Sequence, residues 1–366
     1  MSLIFDSVTR KVGGETHLDR INLGLDPGTT HVVLGRTLSG KTSLLRLMAG
    51  LDRPTSGRIL MNGKDVTGLF VRKRSVAMVY QQFINYPSLT VYRNIASPLK
   101  MSGLKKSEID RKVRSTAAML HIEELLDRLP AELSGGQQQR TAIARSLVKE
   151  AELLLLDEPL VNLDYKLREE LRLELQEIFK QRQAIVVYTT TEPTEALLLG
   201  GQIIVIDEGR ILQTGPTPTV YHHPASLKVA EVFSDPPINF LDGTVQGLNA
   251  HLGKGLQIPL MDHLKSLAPG NYTFGLRSHH LFLKRVSPED AVIRARVELA
   301  EINGSETFIH VDYEGCRLVV QEDGIFPHQI GSEIKVYVNP CCLFVYDRAG
   351  ALVASPTRGT IPQKAE

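Results

Sequence analysis

The chain has 366 residues, enough for two domains with separate cores, and its 42 Lys plus Arg against 41 Asp plus Glu leave a net charge of +1. That balance excludes the broad basic field that nucleic acid or an anionic membrane surface would select, so partners must be met through local surfaces. Three cysteines, Cys316 and the neighbours Cys341 and Cys342, cannot build a disulfide framework and read as buried thiols in a reducing cytosol.

The N-terminus lacks the basic start and apolar stretch of a secretory signal. The longest apolar runs fall far short of the roughly 20 residues that span a bilayer. In chain order, Ile21, Leu23 and Leu25 alternate with polar residues as a strand before the turn Asp26-Pro27-Gly28. His31 to Leu34 is a short apolar strand, and Lys41 to Ala49 reads as a helix stopped by Gly50. Between them lies Gly35-Arg36-Thr37-Leu38-Ser39-Gly40-Lys41-Thr42, followed by Ser43. This octet fits the phosphate-loop pattern, in which small residues allow close backbone approach and the helix N-terminus favours anions. Lys41 is placed for the β and γ phosphates, and the Thr42 hydroxyl for Mg²⁺.

A strand over Ser75 to Tyr80 leads into Gln81 and an aromatic-bearing segment from Phe83 to Tyr86-Pro87. From Lys105 to Leu126 the pattern is helical, with Ser107 as the expected N-cap and Asp110 as its capping-box partner. Ser134-Gly135-Gly136-Gln137 opens a helix with Ala142, Ile143, Leu147 and Val148 on its apolar side. A hydroxyl, two glycine amides and a helix N-terminus make a second anion cradle, although a plain N-cap would use the same residues.

Leu153 to Leu156 is apolar throughout, as a central parallel strand is, and ends in Asp157-Glu158-Pro159. Asp157 suits a hard cation and Glu158 an attacking water. Asp164 to Gln181 is helical, with Leu167, Leu171, Leu175 and Ile178 on one face, and Ile185 to Tyr188 is another buried strand. Strands alternating with helices predict a parallel α/β core. After Pro236-Pro237, short alternating runs predict an all-β domain, a small barrel. The tail beyond Ala351 is expected to fray. The pairs His222-His223 and His279-His280 lack ligand-spaced partners and read as surface or packing residues.

The phosphate loop, the run Leu133 to Arg140 and the strand ending in Asp157-Glu158, in this order, resemble the ATP-binding cassette ATPases. Gly209-Arg210-Ile211, Gln213, Gly215, Tyr221 and Pro224, together with Phe274-Gly275-Leu276-Arg277 and Gly304-Ser305-Glu306-Thr307, are similar to the carbohydrate-importer type. The phosphate-loop variant resembles, more narrowly, the paired ATPases of bacterial glycerol importers. The resemblance implies a P-loop NTPase α/β core with a helical subdomain (residues 1–235, helical part about 85–150). An oligosaccharide-binding-type β-barrel regulatory domain would follow (236–366).

It further implies that Gly35 to Ser43 hold ATP; that Thr42, Gln81 and Asp157 hold Mg²⁺; and that Glu158 and Gln81 act in hydrolysis. Ser134 to Gln137 would close over a neighbour's nucleotide, and Asp164 would line that dimer seam. Expected partners are a second, different ATPase subunit, two permease subunits and, indirectly, a periplasmic solute-binding protein, at the cytoplasmic face of the inner membrane. The pattern departs in three places. Thr191 stands where a histidine is usual, the base-stacking aromatic near Val12 is missing with no Phe, Tyr or Trp from Asp6 to Leu69, and Leu38 replaces a glycine, with Arg36 where proline is common.

Overall fold

A computed structural model describes residues 2–100, 103–161 and 163–357. The chain divides into two compact units between Thr217 and Pro218.

The first unit is built on two sheets. β1 (Leu3–Val12), β2 (Glu15–Leu25), β4 (Ser56–Met61) and β5 (Lys64–Asp65) form an antiparallel sheet in the order β2-β1-β4-β5. The larger sheet runs β10 (Arg210–Pro216), β9 (Gln202–Asp207), β3 (Thr30–Leu34), β8 (Ile185–Thr190), β7 (Leu153–Asp157), β6 (Val76–Val79). It is parallel except for β10. All five residues of β7 are buried, as its unbroken apolar run predicts for a strand covered on both faces. Helix α1 (Lys41–Ala49) buries Leu44, Leu45, Leu47 and Met48 in one core with Phe5, Ile21 and Ile59 of the small sheet and Val33, Leu155 and Val187 of the large one. Gly50, at φ 74°, ends it by donating its N–H back to Leu47 and Arg46 carbonyls, the left-handed stop glycine supplies.

The helical part comprises α2 (Val91–Lys100), α3 (Lys106–Met119) and α4 (Gly135–Leu147). Here Ser107 does not cap α3: the carbonyl of Lys105 already accepts from Glu108 and Ile109, so Ser107 lies inside the first turn, and Asp110 binds Arg114 instead at 3.1 Å. α5 (Tyr165–Lys180) buries Leu171, Leu175 and Ile178, while Leu167 at its start is only half-buried. α6 (Pro193–Leu199) follows β8.

The register sets the site. Leu34 pairs with Thr190 and Asp157 with Thr189, so β3, β7 and β8 end level with one another. Ligands of open parallel sheets bind at these carboxyl ends.

In the second unit, α7 (Thr217–His222) and α8 (Leu227–Val232) lead into β11 (Asn239–Gln246), β12 (Asn249–Leu252), β13 (Leu256–Pro259), β14 (Gly270–Leu276) and β15 (Leu281–Phe282). β16 (Ala291–Asn303), β17 (Glu306–Tyr313), β18 (Cys316–Asp323), β19 (Glu333–Val338), β20 (Phe344–Tyr346) and β21 (Leu352–Ala354) complete it. Two antiparallel sheets, β13-β12-β11-β14-β20-β21 and β15-β19-β16-β17-β18, wrap one apolar core that includes Phe274, Ile293, Val311, Val336 and Val345, giving a barrel-like unit of oligosaccharide-binding type.

Residues 218–235 belong to this unit, not to the first. Ala230 of α8 packs with Ile238, Phe344 and Tyr346, and the Leu227 N–H donates to the Gly350 carbonyl. Leu352–Ala354, expected to fray, instead pairs with β20. Residues 358–366 lie outside the described part. Cys341 and Cys342 are buried and Cys316 half-buried.

Candidate nucleotide site

Three strand ends and one loop place the candidate residues. Gly35 leaves β3 with its N–H on the Thr190 carbonyl at 3.3 Å. It admits no side chain: a Cβ there would lie 2.4 Å from the Ile206 carbonyl oxygen and 2.5 Å from Ser39 Oγ. Arg36, Thr37 and Leu38 are exposed, Ser39 is buried, and Gly40, at φ 107°, turns the chain into α1.

Lys41 bends back into this loop. Its Nζ donates to the Gly35 carbonyl at 2.7 Å and the Arg36 carbonyl at 2.8 Å, and pairs with Glu158 Oε1 at 3.2 Å. Burial pushes the Lys41 ammonium below its ordinary pKa, and Glu158 opposes that shift. The cation is thus held by two loop carbonyls and one carboxylate.

Asp157, buried at the end of β7, accepts from Thr42 Oγ1 at 3.2 Å and from Thr189 Oγ1 at 3.0 Å. Burial raises its carboxyl pKa, and the two hydroxyl donors work against this. The Glu158 N–H donates to Thr189 Oγ1 at 3.0 Å, which fixes a residue held at φ 44°. Gln81 Nε2 reaches Glu158 Oε2 at 3.4 Å. Gly35, Lys41, Thr42, Gln81, Asp157 and Glu158 are therefore brought together at the strand ends, Gln81 being the member that only the family resemblance implied. Thr42 and Asp157 together offer adjacent hard oxygens, a donor set that fits Mg²⁺. Thr191 lines a small recess with Glu158, Val161, Arg168 and Glu192.

The run from Ser134 is organised separately. Ser134 Oγ accepts from the Gln137 N–H at 3.4 Å while Gln137 Oε1 accepts from the Ser134 N–H at 3.0 Å, a reciprocal capping box opening α4. Gly135 has open space around it, whereas a Cβ on Gly136 would lie 2.0 Å from Leu167 Cδ2. Asp164 Oδ1 caps α5 by accepting from that same Leu167's N–H at 3.0 Å. The run from Ser134 and the Asp164 turn are thereby packed together.

Two contributors escape sequence reading. Thr189, which orients both acidic residues, follows the apolar run Ile185 to Tyr188 near the end of β8 and gives no local signal. Arg168 bridges the Glu192 carboxylate at 2.6 Å and the Leu163 carbonyl at 3.4 Å, joining two turns far apart in the chain.

Leu38 is the one strained member of the loop's exposed stretch, at φ 67° with its side chain 97% exposed. Left-handed backbone costs a branched residue roughly 1–2 kcal/mol, and glycine's extra freedom when unfolded offsets about half of the relief. Leu38→Gly is expected to raise stability by about 0.5–1 kcal/mol, read from the denaturant midpoint; a loss would show that this side chain is held by contacts.

A model described as ABC transporter matches residues 18–161. The maltose/maltodextrin import ATP-binding protein MalK of Yersinia pestis bv. Antiqua is 36% identical over 351 residues, covering 92% of this chain and 94% of its own. The chain belongs to the ATP-binding subunits of ABC transporters. The sn-glycerol-3-phosphate import ATP-binding protein UgpC of Chromohalobacter salexigens is 35% identical, with 96% of each chain covered. Among solved structures, the dimeric bacterial ABC transporter cassette MJ0796 superposes with a TM-score of 0.54 at 28% identity, covering 59% of this chain and 98% of that one. The same cassette in a post-hydrolysis dimeric state bound to ADP and Pi superposes equally, at 27% identity. The solved cassettes match the fold over 59% of the chain. Among the described residues, no helix is long and apolar enough to cross a membrane.

Proposed function

We propose that this chain is the ATP-hydrolysing subunit of a bacterial importer for a sugar or polyol, with glycerol as the candidate solute. One observation carries the reading: a phosphate loop whose lysine and threonine are tied to Glu158 and Asp157, in a chain similar over most of its length to maltodextrin and glycerol-phosphate import ATP-binding proteins. Residues 35–43 cradle the phosphates. Lys41 leaves its loop carbonyls to pair with the β and γ oxygens, and Glu158, freed from Lys41 and held by Thr189 and Gln81, orients the attacking water. Thr42, Asp157 and Gln81 would hold Mg²⁺, which would neutralise charge on the phosphates. Ser134 to Gln137 present an N-terminal helix cradle to a nucleotide carried by another cassette, with Asp164 at the seam; the dimeric state of the MJ0796 structures supports this.

The neighbouring cassette is a different chain, because three departures, Thr191, Leu38 and the missing aromatic, fall on this chain's cradle and none on the run Ser134 to Gln137. Two permease subunits complete the machine, supplied by a periplasmic binding protein, with this chain peripheral at the cytoplasmic face of the inner membrane. Intact-mass measurement of the complex purified from its native membrane tests the assembly: two ATPase masses are expected, and one mass twice would overturn the pairing.

A second reading, a nucleotide-holding subunit with negligible turnover, is favoured by Leu38 in the phosphate loop and by Thr191, since a hydroxyl cannot supply the imidazole's charge or reach. Thr191→His is expected to raise phosphate release by the assembled transporter roughly tenfold or more. No change would show that Thr191 does not limit the site.

A further inference from the structure

We propose that Arg168 is a positioning residue for hydrolysis: its Nε–H holds one water molecule against Thr191 and Glu158, and that water supplies the reach that Thr191 lacks where a histidine is usual. The inference rests on the reading of Glu158 as the group that orients the attacking water, and it adds a residue to that site.

Two turns frame the place. From Glu158, the Val161 N–H closes onto the Glu158 carbonyl at 3.4 Å and the Leu163 N–H onto the Leu160 carbonyl at 3.3 Å. Beyond β8, the Glu192 N–H donates to Thr190 Oγ1 at 3.0 Å and the Ala196 N–H to the Glu192 carbonyl at 3.2 Å. Arg168, in the first turn of α5, fastens one turn to the other, with Nη1 on the Glu192 carboxylate at 2.6 Å and Nη2 on the Leu163 carbonyl at 3.4 Å. Both ends of the guanidinium are thereby committed, so the side chain does not swing toward a phosphate. The Nε–H remains: it is buried and has no hydrogen-bond partner among the described residues. Leaving a buried donor unpaired is costly, and native structures nearly always give it a protein group or a water.

The neighbouring recess has the size of such a partner. Arg168, Glu158, Thr191 and Glu192 all line it, and its volume of about 10 Å³ is the room of a single water molecule. A buried water needs about two to four polar contacts, and these walls offer a guanidinium N–H, a hydroxyl and carboxylates. Two of the carboxylates are already engaged, Glu195 by the Tyr188 hydroxyl at 2.6 Å and Glu192 by Arg168. Glu158 is tied to Lys41, which a bound phosphate draws away, so it is the acceptor left for the water. A bridge of this kind is nearly as good as a direct hydrogen bond for holding position. It carries no full charge, which is why histidine at position 191 is still expected to work faster.

Single-turnover hydrolysis and ATP binding are measured on the assembled transporter with Arg168→Lys and Thr191→Val in this subunit, alone and combined, and with Arg168→Lys added to Thr191→His. The quantity read is the part of hydrolysis that Glu158→Gln abolishes. Lysine keeps a cation for Glu192 but has no donor midway along its stem. Arg168→Lys is expected to slow this part by roughly 10- to 100-fold, the cost of a small misplacement, with ATP affinity unchanged. Thr191→Val should lose as much, and the double variant no more than either alone, because both break the same bridge. Beside Thr191→His the lysine change should cost little, since an imidazole reaches without the water. An equal loss with threonine and with histidine at position 191 would make Arg168 a strut between two turns and overturn the inference. So would losses that multiply in the double variant, or full hydrolysis in Arg168→Lys. Should Arg168→Lys fail to fold, Thr191→Val decides: hydrolysis as in the unaltered chain overturns it. The underlying reading fails differently, because Glu158→Gln would then abolish no hydrolysis, and the inference falls with it.

Discussion

Glu158→Gln in this subunit, with every other chain of the transporter unaltered, is expected to slow hydrolysis at its cradle by about 10²- to 10⁴-fold, the contribution of a positioned base. Its nucleotide affinity should rise. Both effects follow from the same contacts. Glu158 Oε1 sits 3.2 Å from the Lys41 ammonium, which is buried, so binding a triphosphate requires that ion pair to part. A neutral amide retains the shape and the hydrogen bond to Gln81 but no longer competes for the cation. The carboxylate's second task, polarising a water held near the γ phosphorus, is lost outright, since glutamine cannot accept that proton. Single-turnover hydrolysis of stoichiometric ATP, with binding measured in parallel, separates the two. Hydrolysis retained within a few-fold while nucleotide is bound would remove Glu158 from the reaction and leave the subunit a nucleotide holder.

The parts of this site legible in the sequence are those built from residues close in the chain. A strand, a glycine loop and a helix follow one another from His31 to Ala49, and the structure bounds the helix at Lys41 and Ala49 as read. Asp157 and Glu158 were legible because four leucines before them demand a fully covered strand, and such a strand ends at the ligand-binding edge of its sheet. The second domain's strands were visible through alternation alone. What failed was long-range or competitive. Ser107 lost the capping position because Lys105 began the helix first. Thr189 and Arg168 act on residues more than 20 positions away, and no local pattern reports such contacts. The division between domains fell earlier than the change to β texture, because two short helices of ordinary composition fold onto the barrel.

Arg277→Ala is expected to destabilise the second unit by about 3–5 kcal/mol, at the upper end for a single substitution. The side chain is 3% exposed. Its Nη1 donates to the Phe233 carbonyl at 3.1 Å and to Ser234 Oγ at 2.8 Å, and its Nη2 donates to the Tyr221 carbonyl at 2.8 Å. The guanidinium lies 3.7 Å above the Tyr221 ring centroid. No carboxylate figures among these contacts, and burial accordingly pushes the guanidinium's pKa down. A cation held this way looks costly, yet its removal strands one buried and two half-buried acceptors, each worth up to roughly 1–3 kcal/mol, and forfeits the ring contact. The loss exceeds the relief of a desolvated charge because guanidinium is weakly hydrated to begin with.

Arg277→Lys should recover little. An ammonium can face one or two of these carbonyls but cannot stack flat on Tyr221 while spanning acceptors on both sides. The decisive measurement is denaturant unfolding of the full chain, combined with limited proteolysis across residues 221–234. A cut appearing there before the barrel strands are attacked is the expected signature of a connector released from its anchor. A midpoint within about 1 kcal/mol of the unaltered chain would mean that water replaces the guanidinium at all three acceptors, and that the segment is held by Ala230 and Phe233 packing alone.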